Sequence, residues 1–318
     1  VEFTEPGDEG LGLPDNFGVL ISYNQARDRS DRARTRVEAA VAQYRREWVN
    51  RERRDLGVDD DAWADFGIVR EDAASNEDIT RFILALLVPF LMLVMVAMAS
   101  FYPAIDATAG ERERSTWETL MTVAAPRSTV AVAKYLYVAT FGTMGGLLNL
   151  LALTLSLQWI LRPLAGEQAE AFTTGGVPLG ALPVIALGTV LLGLFIAAGM
   201  LVFAAFARNF KEGQAMIMPF FLLLIMPAIF LQSPDMEFTM TLAVIPVANV
   251  IMVIRAAITG SFPLQLIAVA MGTMTVCVVL AISFAQWVMS NEEVLMGSHE
   301  GGLGAFLKRR LKRRGAGA

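Results

Sequence analysis

The chain has a single cysteine, Cys277, and a single histidine, His299, in 318 residues. One thiol inside an apolar run excludes a disulfide framework and a cysteine metal site. One imidazole near the tail puts histidine-based zinc chemistry and a Ser-His-Asp triad out of reach. Lysine is also scarce: Lys134, Lys211, Lys308 and Lys312 are the four, and none follows a glycine. The phosphate-binding loop G-x-x-x-x-G-K-[ST] is therefore missing, and ATP hydrolysis through that motif is excluded. Charged residues make up only 18%, where a soluble domain carries about a quarter. No basic region precedes an apolar stretch at the start, so no signal peptide is visible. The first residue is Val rather than Met, as expected of a fragment or a processed product.

The charge that is present lies mostly at one end. Residues 1–81 hold 19 acids and 12 arginines, whereas residues 82–318 hold 12 acids and 14 bases. That longer part contains uncharged runs at 82–102, 135–161, 171–207, 213–234 and 256–291. Each reaches or exceeds the roughly 20 apolar residues that cross a bilayer. With 55% hydrophobic residues and a mean hydropathy of +0.50, this is the composition of a polytopic membrane protein with a polar N-terminal portion. The net charge of −5 sums two environments and says little about partners.

In the polar portion, residues 1–29 are rich in Gly, Pro, Asp and Glu, with one strand-like run at Phe17–Tyr23. From Ser30 to Arg54, Ala33, Val37, Ala40, Tyr44 and Trp48 recur near a 3.6-residue period, which predicts an amphipathic helix packing on its own small domain. Acids interleave with its arginines, which argues against a nucleic-acid surface. Asp59-Asp60-Asp61 reads as a solvated turn, because its spacing matches no Ca²⁺ loop.

Six hydrophobic segments follow, at 82–102, 129–161, 181–207, 214–232, 238–258 and 264–290. The fifth is broken by Pro246 and carries Arg255. Basic residues decide which of them span. Arg112, Arg114, Arg127 and Lys134 lie in the loop 103–134, Arg208 and Lys211 lie in 208–213, and six bases from Lys308 to Arg314 close the chain. If five segments span and 238–258 does not, all twelve share one side, and short loops rich in Lys and Arg mark the cytoplasm. Segment 238–258 is then re-entrant or interfacial, with irregular backbone that protein must bury. The N-terminal domain falls outside the cell, and an upstream span absent from this chain is the simplest way to have carried it across. The intact protein would have six spans, with both ends in the cytoplasm.

The most informative stretch joins the first two spans, from Asp106 to Arg127. Trp117, Leu120, Met121 and Ala124 fall on one helical face, with Arg114 and Glu118 as an i,i+4 pair on the other. Gly110 opens the stretch and Pro126 closes it, so the spacing predicts a short amphipathic helix over 110–125 at the membrane surface. On physics alone it is as well read as a surface helix that merely ends two spans.

The pattern D-x-x-A-G-E-R-E-R-x-T-x-E-T-L-M, then Pro126-Arg127 and Ala133-Lys134-Tyr135, resembles the permease subunits of type-2 ABC exporters, and most of all their sodium-efflux, NatB-like branch. Ala243 to Arg255 with Pro246 and Asn249, continuing to Gly260, is similar to the same family. So are Asn291-Glu292-Glu293-Val-Leu and the Ser30–Gly57 stretch with Tyr44 and Arg53. These matches spread over about residues 17–296.

The resemblance implies an α-helical polytopic membrane protein with five transmembrane helices in this chain, a re-entrant segment and a small α/β extracytoplasmic domain. Residues 1–80 would form that domain and 81–292 the transmembrane domain, with the coupling helix at 110–125 and the re-entrant segment at 238–260. Residues 293–318 would form a basic cytoplasmic tail. The family's first span and the helix before it are absent. Coupling to a separate ABC ATP-binding subunit would fall to Glu111, Arg112, Glu113, Arg114, Trp117, Glu118, Leu120, Met121, Pro126 and Arg127, and the re-entrant features to Pro246, Asn249 and Arg255. Trp117, Leu120 and Met121 suit an apolar anchor in the partner, and the charges suit its register. The chain itself carries no cofactor, since ATP and Mg²⁺ belong to the partner, and a second permease copy, identical or related, completes the path. The implied function is export of Na⁺ or another small substrate across a bacterial or archaeal plasma (inner) membrane, without enzymatic activity on this subunit.

The substrate path is hardly legible. The clean spans hold no Asp or Glu, and Thr143, Asn149, Ser156 and Gln158 are among their polar residues, so a carboxylate Na⁺ cage is not expected there. Gly142 and Gly146 read as a helix-packing G-x-x-x-G. Arg255, near the outer side, fits either a guide for an anionic group or a structural salt bridge. Lys308, Arg309, Arg310, Lys312, Arg313 and Arg314 suit attraction to anionic lipid. A secondary transporter would show buried carboxylates and an internal repeat, and an intramembrane enzyme a catalytic dyad; neither is present. A membrane scaffold or sensor, whose outer domain binds a partner without transport, remains the alternative.

Overall fold

The computed structural model describes residues 2–4, 18–23, 28–56, 68–72, 76–122, 125–165, 179–233 and 236–290. Two compact units are distinguished, one drawing on Val1–Phe82 and the other on Ile83–Ala169 and Gly176–Ala318.

In the first unit β1 (Glu2–Thr4) pairs antiparallel with β2 (Gly18–Tyr23), and β2 pairs parallel with β3 (Ile68–Asp72), with Leu20 opposite both Glu2 and Val69. A parallel pair requires a crossover, and α1 (Asp28–Leu56) lies in the connection between β2 and β3. The predicted strand and helix are both present. The apolar stripe of α1 is less covered than its period implied: Val37 and Trp48 are half-buried, while Ala33, Ala40 and Tyr44 are exposed, Tyr44 by 59%. Local pairs support the helix instead, including Arg34–Glu38 at 3.8 Å and the Gln43 amide donating to Glu47 at 3.1 Å.

The second unit is all helix among its described residues. Five stretches are long and apolar enough to cross a membrane: Arg81–Glu113, Arg127–Ser156, Leu182–Ala204, Phe210–Phe230 and Leu264–Met289. They begin with α2 (Asn76–Ile105), continue through α5 (Arg127–Ala165), α6 (Leu182–Ala204) and α7 (Phe210–Phe230), and end with α10 (Leu264–Met289). Two short helices, α3 (Glu111–Glu113) and α4 (Thr116–Thr122), lie between α2 and α5. Two more, α8 (Met240–Val244) and α9 (Ala248–Ile258), precede α10.

The most enclosed span is α6, packed by α5, α7, α9 and α10. Leu192, Ile196, Met200 and Leu201 on α6 and Met92, Leu93 and Val96 on α2 are shut off from solvent. Small residues allow the approach. A Cβ on Gly146 would meet Val96 Cγ2 at 2.5 Å and Thr189 Cγ2 at 2.6 Å, and one on Gly142 would collide with Ser100. The G-x-x-x-G of α5 is thus a packing surface. Conversely, Leu155, Leu222, Leu223, Phe230 and Leu280 are exposed. Apolar exposure on this scale on spanning helices is what lipid or another helix covers.

Segment 238–258 does not form one helix. Ile245 is extended, as the residue before a proline is pushed to be, and Pro246 offers no N–H to continue α8. Val247 then takes φ = 70°, the left-handed region that costs a β-branched residue of the order of 1–3 kcal/mol. The chain restarts as α9, nearly all of which is buried.

Candidate functional site

The end of α2 loosens before it turns. Asp106–Gly110 is a π-helical turn with Ala107, Thr108, Ala109 and Gly110 buried, and such bulges gather at functional sites. Thr108 donates its hydroxyl to the Ala104 carbonyl at 2.7 Å, a bond that bends helices. After one turn of α3 the chain breaks at Ser115, which has φ = 58°. The Ser115 N–H donates to Arg112 O at 3.0 Å and the Thr116 hydroxyl to Glu111 O at 3.1 Å, so carbonyls freed by the break are satisfied. The single helix expected over 110–125 is therefore two pieces, Glu111–Glu113 and Thr116–Thr122. Because the break intervenes, the predicted Arg114/Glu118 pair is not made; Arg114 pairs with Asp106 and donates to Gly110 O at 3.2 Å.

Lys134 is the hub of this corner. The sequence reading placed it in a loop, but it lies within α5 and is 6% exposed. Its ammonium donates to Ala107 O at 2.6 Å, forms an ion pair with Glu111, and stands 4.4 Å from the centroid of the Trp117 ring. One buried cation thus ties α5 to the π turn, α3 and α4. The Arg112 guanidinium stands 5.8 Å from the same ring. Such cation–π contacts contribute about 0.5–2 kcal/mol, more when water is excluded.

A second connection is tied to the same corner. Arg112 donates to Ala207 O at 2.6 Å, and the Glu113 carboxylate accepts from the Phe210 N–H at 2.9 Å. Phe210 opens α7 and stacks on Tyr102 of α2 with centroids 6.2 Å apart. The start of α7 follows from its sequence: Asn209 accepts from the Glu212 N–H at 2.9 Å, while Glu212 accepts from the Arg208 N–H at 2.8 Å. This reciprocal arrangement is close to a capping box. Gly213 leaves room for Ile105, whose Cγ2 a Cβ there would meet at 2.8 Å.

Of the ten residues predicted for coupling, Glu111, Arg112, Glu113, Arg114 and Trp117 are brought together by contacts within the chain. Glu118, Pro126 and Arg127 are exposed, Leu120 is half-buried, and the Met121 side chain lies outside the described residues. Glu118, Thr119 and Thr122 give α4 an exposed polar edge. A cleft of about 510 Å³ opens between Asp106, Glu111, Arg114, Leu120, Lys134 and Tyr137. The sequence reading missed Lys134 and Ala207 as members of the site. A lone lysine just inside an apolar run was the signal for the first; a backbone acceptor leaves none.

The other predicted residues lie apart. Asn249 is fully buried on α9, donates to Ala270 O of α10 at 3.1 Å and accepts from the Val250 N–H at 2.7 Å. Arg255 donates to Leu231 O at 3.2 Å and Ser233 O at 3.0 Å. A cation there complements the carbonyl end of α7, which favours a structural role over an anion guide. Pro246 makes the break between α8 and α9. The basic tail, Lys308, Arg309, Arg310, Lys312, Arg313 and Arg314, lies outside the described residues, as do Asp59-Asp60-Asp61 and Asn291-Glu292-Glu293. Among the described residues no group of three or more His, Cys, Asp or Glu is placed to hold a metal ion.

A helical bundle with five stretches long and apolar enough to span, and an elaborated corner between the first two, fits a multi-pass membrane protein. The chain is 27% identical over 270 residues to the ABC transporter permease protein NatB of Bacillus subtilis (strain 168), a match covering 84% of this chain and 68% of the relative. The similarity bears out the resemblance to an ABC permease read from the motifs and supports a transmembrane transport subunit. No family model matches the chain. No solved structure matches it.

Proposed function

We propose that the chain is the membrane subunit of an ATP-driven exporter of Na⁺ or another small substrate, paired with a second permease copy and with separate subunits that bind MgATP. The observation that carries this reading is the similarity to a permease over most of the chain, on a bundle with five helices long enough to span. Residues Glu111–Arg127 face the cytoplasm and receive the ATP-binding subunit. The α/β unit lies outside, and α8–α9 form a re-entrant pair on that outer side. The distribution of basic residues supports this orientation in a plasma (inner) membrane.

In this mechanism ATP binding draws the two ATP-binding subunits together, and hydrolysis lets them part. Each carries a docked corner with it. Since α2, α5 and α7 meet at that corner, its displacement rotates spans rather than bending one loop.

The test is affinity purification of the protein from its native membrane under conditions that keep a permease dimer intact, followed by mass spectrometry. An ATP-binding cassette subunit is expected to accompany it. Its absence overturns the exporter reading and moves a scaffold or sensor role ahead.

A further inference from the structure

We infer that Lys134 and Trp117 form the joint that passes movement of α4 to the spans, and that the ATP-binding subunit docks on the opposite, polar edge of α4. This rests on the function proposed above and divides the coupling segment into an inner and an outer part.

An aromatic hot spot for a partner has to offer its ring to that partner. The Trp117 ring is instead covered by cations of its own chain, with Lys134 at 4.4 Å and Arg112 at 5.8 Å. Lys134 in turn holds Glu111 and the Ala107 carbonyl. Arg112 and Glu113 hold Ala207 and Phe210 at the connection between α6 and α7. A push on α4 therefore reaches α5 through Lys134 and α7 through Arg112 and Glu113. Thr116 is exposed but donates its hydroxyl to the Glu111 carbonyl. Glu118, Thr119 and Thr122 form an exposed polar edge, an acid and two hydroxyls suited to a basic, hydrogen-bonding partner surface. Lys134 and Trp117 are positioning residues, since neither touches nucleotide.

The experiment uses the full complex with the ATP-binding subunit that copurifies. In a Cys277→Ser background, spin labels at Leu148→Cys on α5 and Leu223→Cys on α7, in labelled copies diluted with unlabelled ones, report the distance between the two spans before and after trapping with ATP and vanadate. Trp117→Leu and Lys134→Met are expected to keep the subunit and trap nucleotide but lose the distance change. Trp117→Phe, which retains a ring face for the cations, restores it. Glu118→Lys is expected to lose the subunit. The joint is overturned if Trp117→Leu moves as the wild type does, or if Trp117→Leu releases the subunit as Glu118→Lys does. Because Trp117 is only half-buried, that variant decides the matter even where Lys134→Met fails to fold. If the wild-type protein itself brings no ATP-binding subunit, the underlying reading falls, and this one with it.

Discussion

The Lys134 ammonium lies over the Trp117 ring at 4.4 Å, so a residue of the second span reaches back to hold the short helix that precedes that span. The same ammonium pairs with Glu111, whose side chain is 29% exposed, whereas that of Lys134 is 7% exposed. This inequality makes the pair asymmetric. Removing Glu111 strands a buried charge, while removing Lys134 leaves a carboxylate that water can reach. Glu111→Ala is expected to cost about 2–3 kcal/mol and Lys134→Met about 1 kcal/mol less. Thermal-shift midpoints of the two variants in detergent give the order, and the reverse order contradicts the burial argument.

Glycines of the bundle divide by what surrounds them. Gly146→Ala drives a methyl into Val96 and Thr189, whereas nothing lies within 4 Å of a Cβ on Gly272. The first substitution is expected to cost about 1–3 kcal/mol through overpacking. The second is expected to be neutral or to gain up to about 1 kcal/mol from helix propensity. Unfolding in detergent with both variants side by side checks the contrast, which equal midpoints would refute.

Asn249 joins α9 to α10 by donating to Ala270 O at 3.1 Å. Ala at this position loses that bond. An ionised Asp also loses it and places an acceptor against an acceptor in a fully buried site. Asn249→Asp at neutral pH is therefore expected to be the less stable by about 1–3 kcal/mol, read as a lower yield of monodisperse protein and a lower unfolding midpoint. Equal behaviour of the two variants would show that an acceptor facing the Ala270 carbonyl adds no cost beyond the lost bond.

The side of the membrane reached by the α9–α10 connection separates five spans from six. Ser261 and Thr119 are both exposed. In a Cys277→Ser background, Ser261→Cys is expected to react with a membrane-impermeant maleimide in intact cells, and Thr119→Cys only after the membrane is opened. Protection of Ser261→Cys in intact cells would mean that segment 238–258 crosses after all.

Much of the helical scaffold was readable from composition. Runs without charge have one stable arrangement in lipid, because every backbone group must be satisfied inside the segment. The break at Pro246 was readable too, since a missing N–H and a restricted neighbour are local properties. The amphipathic period over 116–122 was also local, but its continuity with Glu111–Glu113 was not. That depended on Ser115 entering the left-handed region.

What the sequence alone determined, then, was which segments are apolar enough to span, where they break, and which side the charges favour, all consequences of solvation and of backbone chemistry within a few residues. The tertiary structure decided what the charged corner does with its charges. Glu111, Arg112 and Glu113 read as charges for docking a partner until α5 and the start of α7 are brought beside them. Lys134 then becomes a buried hub, because a charge removed from water must take whatever partners the packing supplies.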